Sequence, residues 1–472
     1  LQRIAMIAVV YYCPILASEK LTNGGDAPAI FCRQGFIGPH VYDLIISMET
    51  GMDYVIMVDC TDVTSAIITA AKKRGIGILF IRSELTRHHT SLTHEFFSEH
   101  AVETYDIESP LDSKKLDDAV MDISQRYPIS AIFTPLDDIV LLVASAARKA
   151  GLKGTSHEGV ANAKNKALAR ELLNGEGLTH CRYRTCQTLD DLPAAVNFIG
   201  YPCIVKPVCG FAKYLTAHLE TPQHLNHFMS EYESTRDSID SSFRSFISEA
   251  YTVEAYMSGQ MYSAEVARNE HGFYPLMLTK RDRAKHNELL EIESTMAPRG
   301  HYADERAIFE YCEKVVDCLK LDVGIFHIEV MVNEGRVDLV EVNPRFMGGA
   351  LSTLFQKSTS LSAFDILLDT YLGKVVEAQA KSRLFSTSRR LAPMKQTISQ
   401  ATVDARYIDE HCPWVKEHSI AIQAGQAVLP MTGNDSSLGY IHIVAESYSA
   451  ALDHAKTTIR MISDATGIEL AN

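Results

Sequence analysis

Phe326-His327-Ile328-Glu329-Val330-Met331-Val332, then Asn333-Glu334-Gly335, then Arg336-Val337-Asp338-Leu339-Val340-Glu341-Val342-Asn343-Pro344-Arg345: this stretch decides how the chain is read. Two apolar runs flank a short Asn-Glu-Gly segment, the pattern of two strands joined by a tight turn. Glu329 and Glu341 lie one on each strand, and each interrupts an apolar run. Because side chains alternate along a strand, paired strands fix which residues share a face. Two carboxylates and the amide of Asn343 converging on one face form an oxygen-rich site suited to Mg²⁺, which takes hard oxygen ligands and keeps phosphates and waters as the rest. Arg345 then aims a cation at a phosphate. Pro344 stiffens the chain between them, and Gly348-Gly349 lets backbone approach a ligand. The bland alternative is a hairpin with its carboxylates in solvent. It suits either glutamate alone but not the whole Glu-x-Asn-Pro-Arg-x-x-Gly-Gly string.

Upstream, residues 1–150 alternate short apolar runs with helical patterns. Strands are expected at 5–11, 54–58, 76–81 and 131–134, and helices at 63–74 and 139–149, with Gly151 closing the latter. That alternation predicts a doubly wound parallel sheet. No Gly-x-Gly-x-x-Gly follows the first strand, so a dinucleotide site is not expected there. Residues 158–173 read as one helix carrying Lys164, Lys166 and Arg170. From Gly177 to about 350 strands dominate, at 203–208, 253–257, 262–266, 274–279, 326–332 and 336–342, an α+β layer. Residues 351–372 read as helix and 381–390 as a polar linker or exposed loop. Strands near 420–422 and 439–444 and a helix at 448–462 complete the tail. The expected domains are 1–150, 151–375 and a small α/β domain at 376–472.

Net charge is −14 with a pI near 5.7, which argues against nucleic acid or an anionic membrane as partner. Ten cysteines show no metal-ligand spacing and read as reduced thiols. The apolar run 4–12 is too short for a bilayer and lacks the flanks of a signal peptide. It reads as the first buried strand of a cytoplasmic protein.

The Glu-x-Asn-Pro-Arg string with its following glycines resembles the ATP-grasp superfamily. The resemblance implies an ATP-grasp fold, with a pre-ATP-grasp domain before it and a lid at about 180–250. It implies ATP and Mg²⁺ (or Mn²⁺) as cofactors, Glu329, Glu341 and Asn343 as metal ligands, and Arg345 against phosphate or an acyl-phosphate intermediate. Tyr201-Pro202-Cys203-Ile204-Val205-Lys206-Pro207 is similar to the strand whose lysine binds ATP phosphates, and Asn165-Lys166 resembles the first nucleotide lysine. Val253-Glu254-Ala255-Tyr256-Met257-Ser258-Gly259 resembles the hinge, with Glu254 contacting adenine or ribose and Tyr256 and Met257 flanking the ring. Glu265 stands where amino-acid ligases of this superfamily face the substrate amine. Lys280, Arg281 and Arg283 follow it and add positive charge, and 292–298 resembles a substrate-side loop. Two positions depart from the pattern. The loop after Lys206 has one glycine, Gly210, with Lys213 as its added cation, and Met261 stands where many relatives carry the ribose-binding glutamate.

The resemblance implies an ADP-forming carboxylate–amine ligase acting on small molecules, with an amino-acid or dipeptide ligase first and a biotin-carboxylase-like or purine-pathway ligase second. A non-catalytic ATP-binding module is the rival from another class, and a symmetric homodimer is the base-rate expectation.

Overall fold

In the computed structural model of the protein, the described residues are 52–210, 213–239, 244, 246–284, 287–378, 383–433 and 436–471. The strand expected at 5–11 lies outside them. The chain divides into two units, 1–50 and 51–472, and every described residue belongs to the second.

Strands β1 (Tyr54–Val58), β2 (Gly77–Arg82), β3 (Glu103–Asp106) and β4 (Ile129–Phe133) form the expected parallel sheet in the order β3-β2-β1-β4. β1 is buried throughout, as a strand covered by helices on both faces must be. Gly151 caps the helix Val140–Ala150 in the left-handed region, at φ 66°. One face of the sheet packs Val55, Met57 and Phe80 against Leu354, Phe355 and Tyr371 from further along the chain, so the parallel sheet and the site-bearing region share one core.

A second sheet holds β5 (Tyr183–Cys186), β6 (Cys203–Pro207), β7 (Ala217–Leu219) and β8 (Tyr251–Ala255), ordered β5-β8-β6-β7. With the helices Leu192–Ile199 and Pro222–Ser238 it occupies the segment expected as a lid and has its own apolar core. The central sheet is antiparallel and eight-stranded. Its strands are β9 (Gln260–Asn269), β10 (Gly272–Ala284), β11 (Asn287–Met296), β12 (Gly324–Asn333), β13 (Arg336–Asn343), β14 (Phe385–Arg390), β16 (Val415–Ile420) and β18 (Gly439–Ala445). They run in the order β13-β12-β9-β10-β11-β14-β18-β16. A small ribbon pairs β15 (Thr397–Ile398) with β17 (Ala427–Val428). Glu334 and Gly335 link β12 to β13 with φ of 51° and 78°, the two positive values a two-residue type I′ turn requires.

Four expectations are corrected. Residues 158–173 form two helices, His157–Lys164 and Lys166–Gly175, because Asn165 leaves helical geometry and caps the second, its Oδ1 accepting from Leu168 N at 2.9 Å. Residues 351–372 likewise split, into Leu351–Ser358 and Ala363–Tyr371, with Ser362 capping the second. The segment 292–298 is mostly strand β11, not a loop. The supposed linker 381–390 contains β14, a mostly buried strand between β11 and β18. Its polar side chains are satisfied internally: Thr387 meets Thr295 at 3.0 Å, Ser386 meets Ser358 at 2.5 Å, and Arg389 donates to Glu293 at 3.3 Å. Through β14, β16 and β18 the tail extends the central sheet. The described cysteines are free thiols. Among the described residues, no helix is long and apolar enough to cross a membrane.

Candidate active site

The hairpin register delivers the alignment its sequence predicts. Glu329 stands directly opposite Glu341, and His327 opposite Asn343. On the other side of β12, strand β9 places Glu265 opposite His327 and Ser263 opposite Glu329. All of these except Glu265 and Ser263 line one cavity between the hairpin and the four-stranded lid sheet.

Glu265 is fully buried, and its Oε1 lies 2.5 Å from His327 Nδ1. His327 Nε2 in turn lies 3.3 Å from Glu329 Oε1. Burial opposes charge on this imidazole, yet the Glu265 and Glu329 carboxylates push its pKa up to about 9. Burial also opposes charge on Glu329, but the His327 proton and then Arg281 and Lys213 hold that carboxyl well below its usual range. Glu265 therefore orients His327 rather than facing the cavity, one layer behind the position expected of a substrate-facing residue. The sequence assigns His327 no role within the motif. Its signal is the two-residue spacing from Glu329, which puts both on one strand face.

From the lid sheet, Lys206 on β6 and Glu254 on β8 form a buried pair, Nζ to Oε2 at 2.9 Å, joined by Arg170 Nη2 at 2.7 Å. Burial raises the cost of charge on Glu254, but the coulombic pull of Arg170 and then of Lys206 carries its pKa down to about 2. Glu254 reaches the cavity, with Oε2 committed to these cations and Oε1 unpartnered. Lys206 Nζ also donates to Val340 O at 3.3 Å, tying lid to hairpin. Lys166, the first residue of its helix, brings Nζ 3.7 Å from Glu341 Oε1.

Tyr256 and Met257 line the cavity. Tyr256 stacks on His218 with centroids 4.7 Å apart, and its hydroxyl donates to Glu288 at 3.1 Å. Gly259, at φ 127°, admits no side chain, because a Cβ would stand 2.2 Å from Val332 O. Lys213 lies in the loop after β6 and reaches across to β11, to Glu291 Oε1 at 2.5 Å and Leu289 O at 2.9 Å. Desolvation lowers its pKa to about 8 against the pull of Glu329. Arg281 pairs with the other oxygen of Glu291. Arg345 lines the cavity, and its Nε lies 3.6 Å from Asp137 of the loop after β4. Nothing in the sequence singles out Asp137, because its contact with Arg345 spans more than two hundred residues.

The metal expectation can be tested against the donors present. Glu341 and Asn343 line the cavity with no hydrogen bond from their side chains to any described residue, and Glu329 stands beside them. Among the described residues no three His, Cys, Asp or Glu cluster as a self-sufficient metal site. Two carboxylates and an amide, short of a full shell, fit an Mg²⁺ whose other ligands are phosphate and water.

Lys166 and Lys206 thus face the paired carboxylates Glu329 and Glu341 across one cavity. Residues 199–354 match the family model of the ATP-grasp domain. Among curated relatives it is 24% identical to the alanine–anticapsin ligase of Bacillus amyloliquefaciens over 264 residues, 53% of this chain and 55% of that one. The first curated relatives are matched over 55% to 66% of their own length. Among solved structures, the L-amino acid ligase of Bacillus licheniformis superposes with a TM-score of 0.68 at 17% identity, covering 89% of this chain and 99% of that one. The ATP complex of carboxyaminoimidazole ribonucleotide synthase from Aspergillus clavatus gives 0.62 at 14%, covering 87% and 99%. At these identities the structural likeness establishes the fold.

Proposed function

We propose that the protein is an ATP-dependent, ADP-forming ligase that activates a carboxylate, that of an amino acid, as an acyl phosphate and joins it to an amine. The observation that carries this reading is the cavity in which Glu329, Glu341 and Asn343 face Lys166, Lys206 and Arg345. A carboxylate is a poor electrophile. Its oxygen attacks the γ-phosphorus of ATP, the bond to the β-phosphate oxygen breaks, and ADP leaves. The amine nitrogen then attacks the acyl carbon, and phosphate departs with the proton balance closed by solvent. Lys166 and Lys206 supply point charges to the phosphates, and Arg345 a forked donor to the transferring group. Mg²⁺, when bound by Glu329, Glu341 and Asn343, neutralises phosphate charge and fixes its orientation. Glu254 holds Lys206 and Arg170 in place through its ion pairs with both. The relatives named as alanine–anticapsin ligase and L-amino acid ligase support an amino acid as one substrate.

The test is ADP and phosphate release from Mg²⁺–ATP across single and paired amino acids, with bicarbonate and small organic acids included. Stimulation by an amino-acid pair supports the reading. Stimulation by bicarbonate alone favours a carboxylase-type reaction, and tight ATP binding with no stimulation by any member favours a binding module.

A further inference from the structure

The loop that follows β4 carries a carboxylate from the parallel sheet to the far end of the hairpin. The Asp137 side chain is only 12% exposed, and its Oδ2 accepts from Lys164 Nζ at 2.5 Å. Its Oδ1 is buried and accepts no hydrogen bond from any described residue. Before that oxygen stands Arg345, with Nε 3.6 Å away. A buried carboxylate oxygen left unanswered is costly, so an anchor for Lys164 does not by itself explain this aspartate. Burial opposes charge on Asp137, yet Lys164 and then Arg345 hold its carboxyl below the usual carboxylate range.

Arg345 is confined on three sides. Asp137 stands at Nε, and Nη1 donates to the carbonyl of Phe346 at 2.9 Å. Gly348 packs against the guanidinium, so closely that a Cβ there would stand 3.4 Å from Nη1. Nη2 has no hydrogen-bond partner among the described residues and is the donor left for the cavity. Both ends of the Asp137–Arg345 contact are rigidly based, because Phe133 at the end of β4 and Phe346 beside Arg345 lie in one apolar core. A guanidinium recognises a phosphoryl group by direction as well as by charge, so an error in its aim costs rate.

We infer that Asp137 is a positioning residue for phosphoryl transfer: it holds the Nε edge of Arg345 and so turns Nη2 towards the transferring group. This rests on the ligase reading above and adds to it a part for the parallel sheet, whose β4 loop supplies the residue.

Two substitutions separate this role from a structural one. Asp137→Asn keeps the size and an acceptor for Lys164 but removes the charge on which a 3.6 Å contact depends. Lys164→Gln removes the other partner and leaves that charge in place. Phosphate release from Mg²⁺–ATP is measured for each with the substrates that stimulate it. The Nε–H resonance of Arg345, identified by its absence from Arg345→Lys, is followed by NMR. In Asp137→Asn, kcat is expected to fall about tenfold or more while KM for ATP stays within about twofold. The Arg345 Nε–H is expected to exchange with water faster in that variant, and Lys164→Gln to stay close to the parent in both readouts. If Asp137→Asn does not fold, the Asp137→Asn/Lys164→Gln double variant, which leaves no unpaired lysine, takes its place. A loss confined to KM, an unchanged Nε–H resonance, or a fall in Lys164→Gln as deep as in Asp137→Asn overturns the inference. Failure of the ligase reading looks different: the parent releases no phosphate with any acid–amine pair, and the Nε–H resonance alone then decides whether Asp137 holds Arg345.

Discussion

Glu341 and Asn343 face the cavity without a hydrogen bond to any described side chain, whereas Glu329 is already engaged by His327. A residue without hydrogen-bond partners contributes little to the fold, so Glu341→Gln is expected to leave the thermal transition nearly unchanged. Its 3.7 Å contact with Lys166 is too long to matter much. Turnover with Mg²⁺–ATP is expected to fall by about a hundredfold or more, the loss typical of a missing electrostatic stabiliser. Near-normal turnover in that variant would exclude Glu341 from the metal set. Glu254 is the opposite case. Its folded pKa of about 2 lies below the ordinary 4.5, so its charge stabilises the fold above about pH 4.5, and that contribution is lost as pH falls towards 2. The linkage is on the order of 3 kcal/mol. Glu254→Gln is therefore expected to unfold at lower urea than the parent at pH 7, with the gap narrowing below about pH 4.5 and closing as pH falls towards 2. Parallel acid curves for the two proteins would show that Glu254 carries no such linkage. The string from Glu329 to Arg345 is legible in sequence because strand alternation converts spacing directly into facing. The position of Glu265 is not, because a sequence shows that a glutamate interrupts a strand but not which neighbour covers it.

Elements are legible where composition and burial agree. β1, β2 and β4 are rich in aliphatic residues and largely buried, and each stands within a few residues of its expected position. β14 fails that rule, since Ser386, Thr387, Ser388 and Arg389 are polar and buried together. Nothing local distinguishes such a strand from a linker, because its satisfaction comes from Thr295, Ser358 and Glu293, far away in sequence. Strand and linker predict different behaviour for Thr387→Pro. An exposed linker tolerates proline, whereas a strand between two neighbours loses a ladder hydrogen bond and meets the ring. We expect a marked loss of stability, seen as a thermal transition shifted well down or as insoluble protein. A transition unchanged from the parent would return this segment to the surface. Asn165 offers a milder case: Asn165→Ala removes the cap that places Lys166, and is expected to cost about 1 kcal/mol and to raise the KM for ATP.

Across the whole molecule, the parallel sheet is fused to the site-bearing region by a continuous apolar core, while the lid sheet has a core of its own. Lid and hairpin are instead bridged by polar contacts: Lys206 donates to Val340 O, and Lys213 ties the lid to Glu291 of β11. Such contacts exchange with water at little net cost, whereas an apolar core opens only by exposing its surface. The two halves of the cavity are therefore expected to separate and close as bodies, with ATP phosphates supplying the charge that draws Lys206 of the lid towards Glu341. Amide hydrogen exchange reads this directly. Without nucleotide, the lid segment from Cys203 to Tyr256 is expected to exchange faster than β1, β2 and β12. Mg²⁺–ADP should slow the lid, most at the loop around Lys213, and leave the already protected strands β1 and β2 unchanged. If the lid were as protected as β12 before nucleotide is added, the polar bridges would be holding it shut. Closure would then contribute nothing to excluding water from an acyl phosphate.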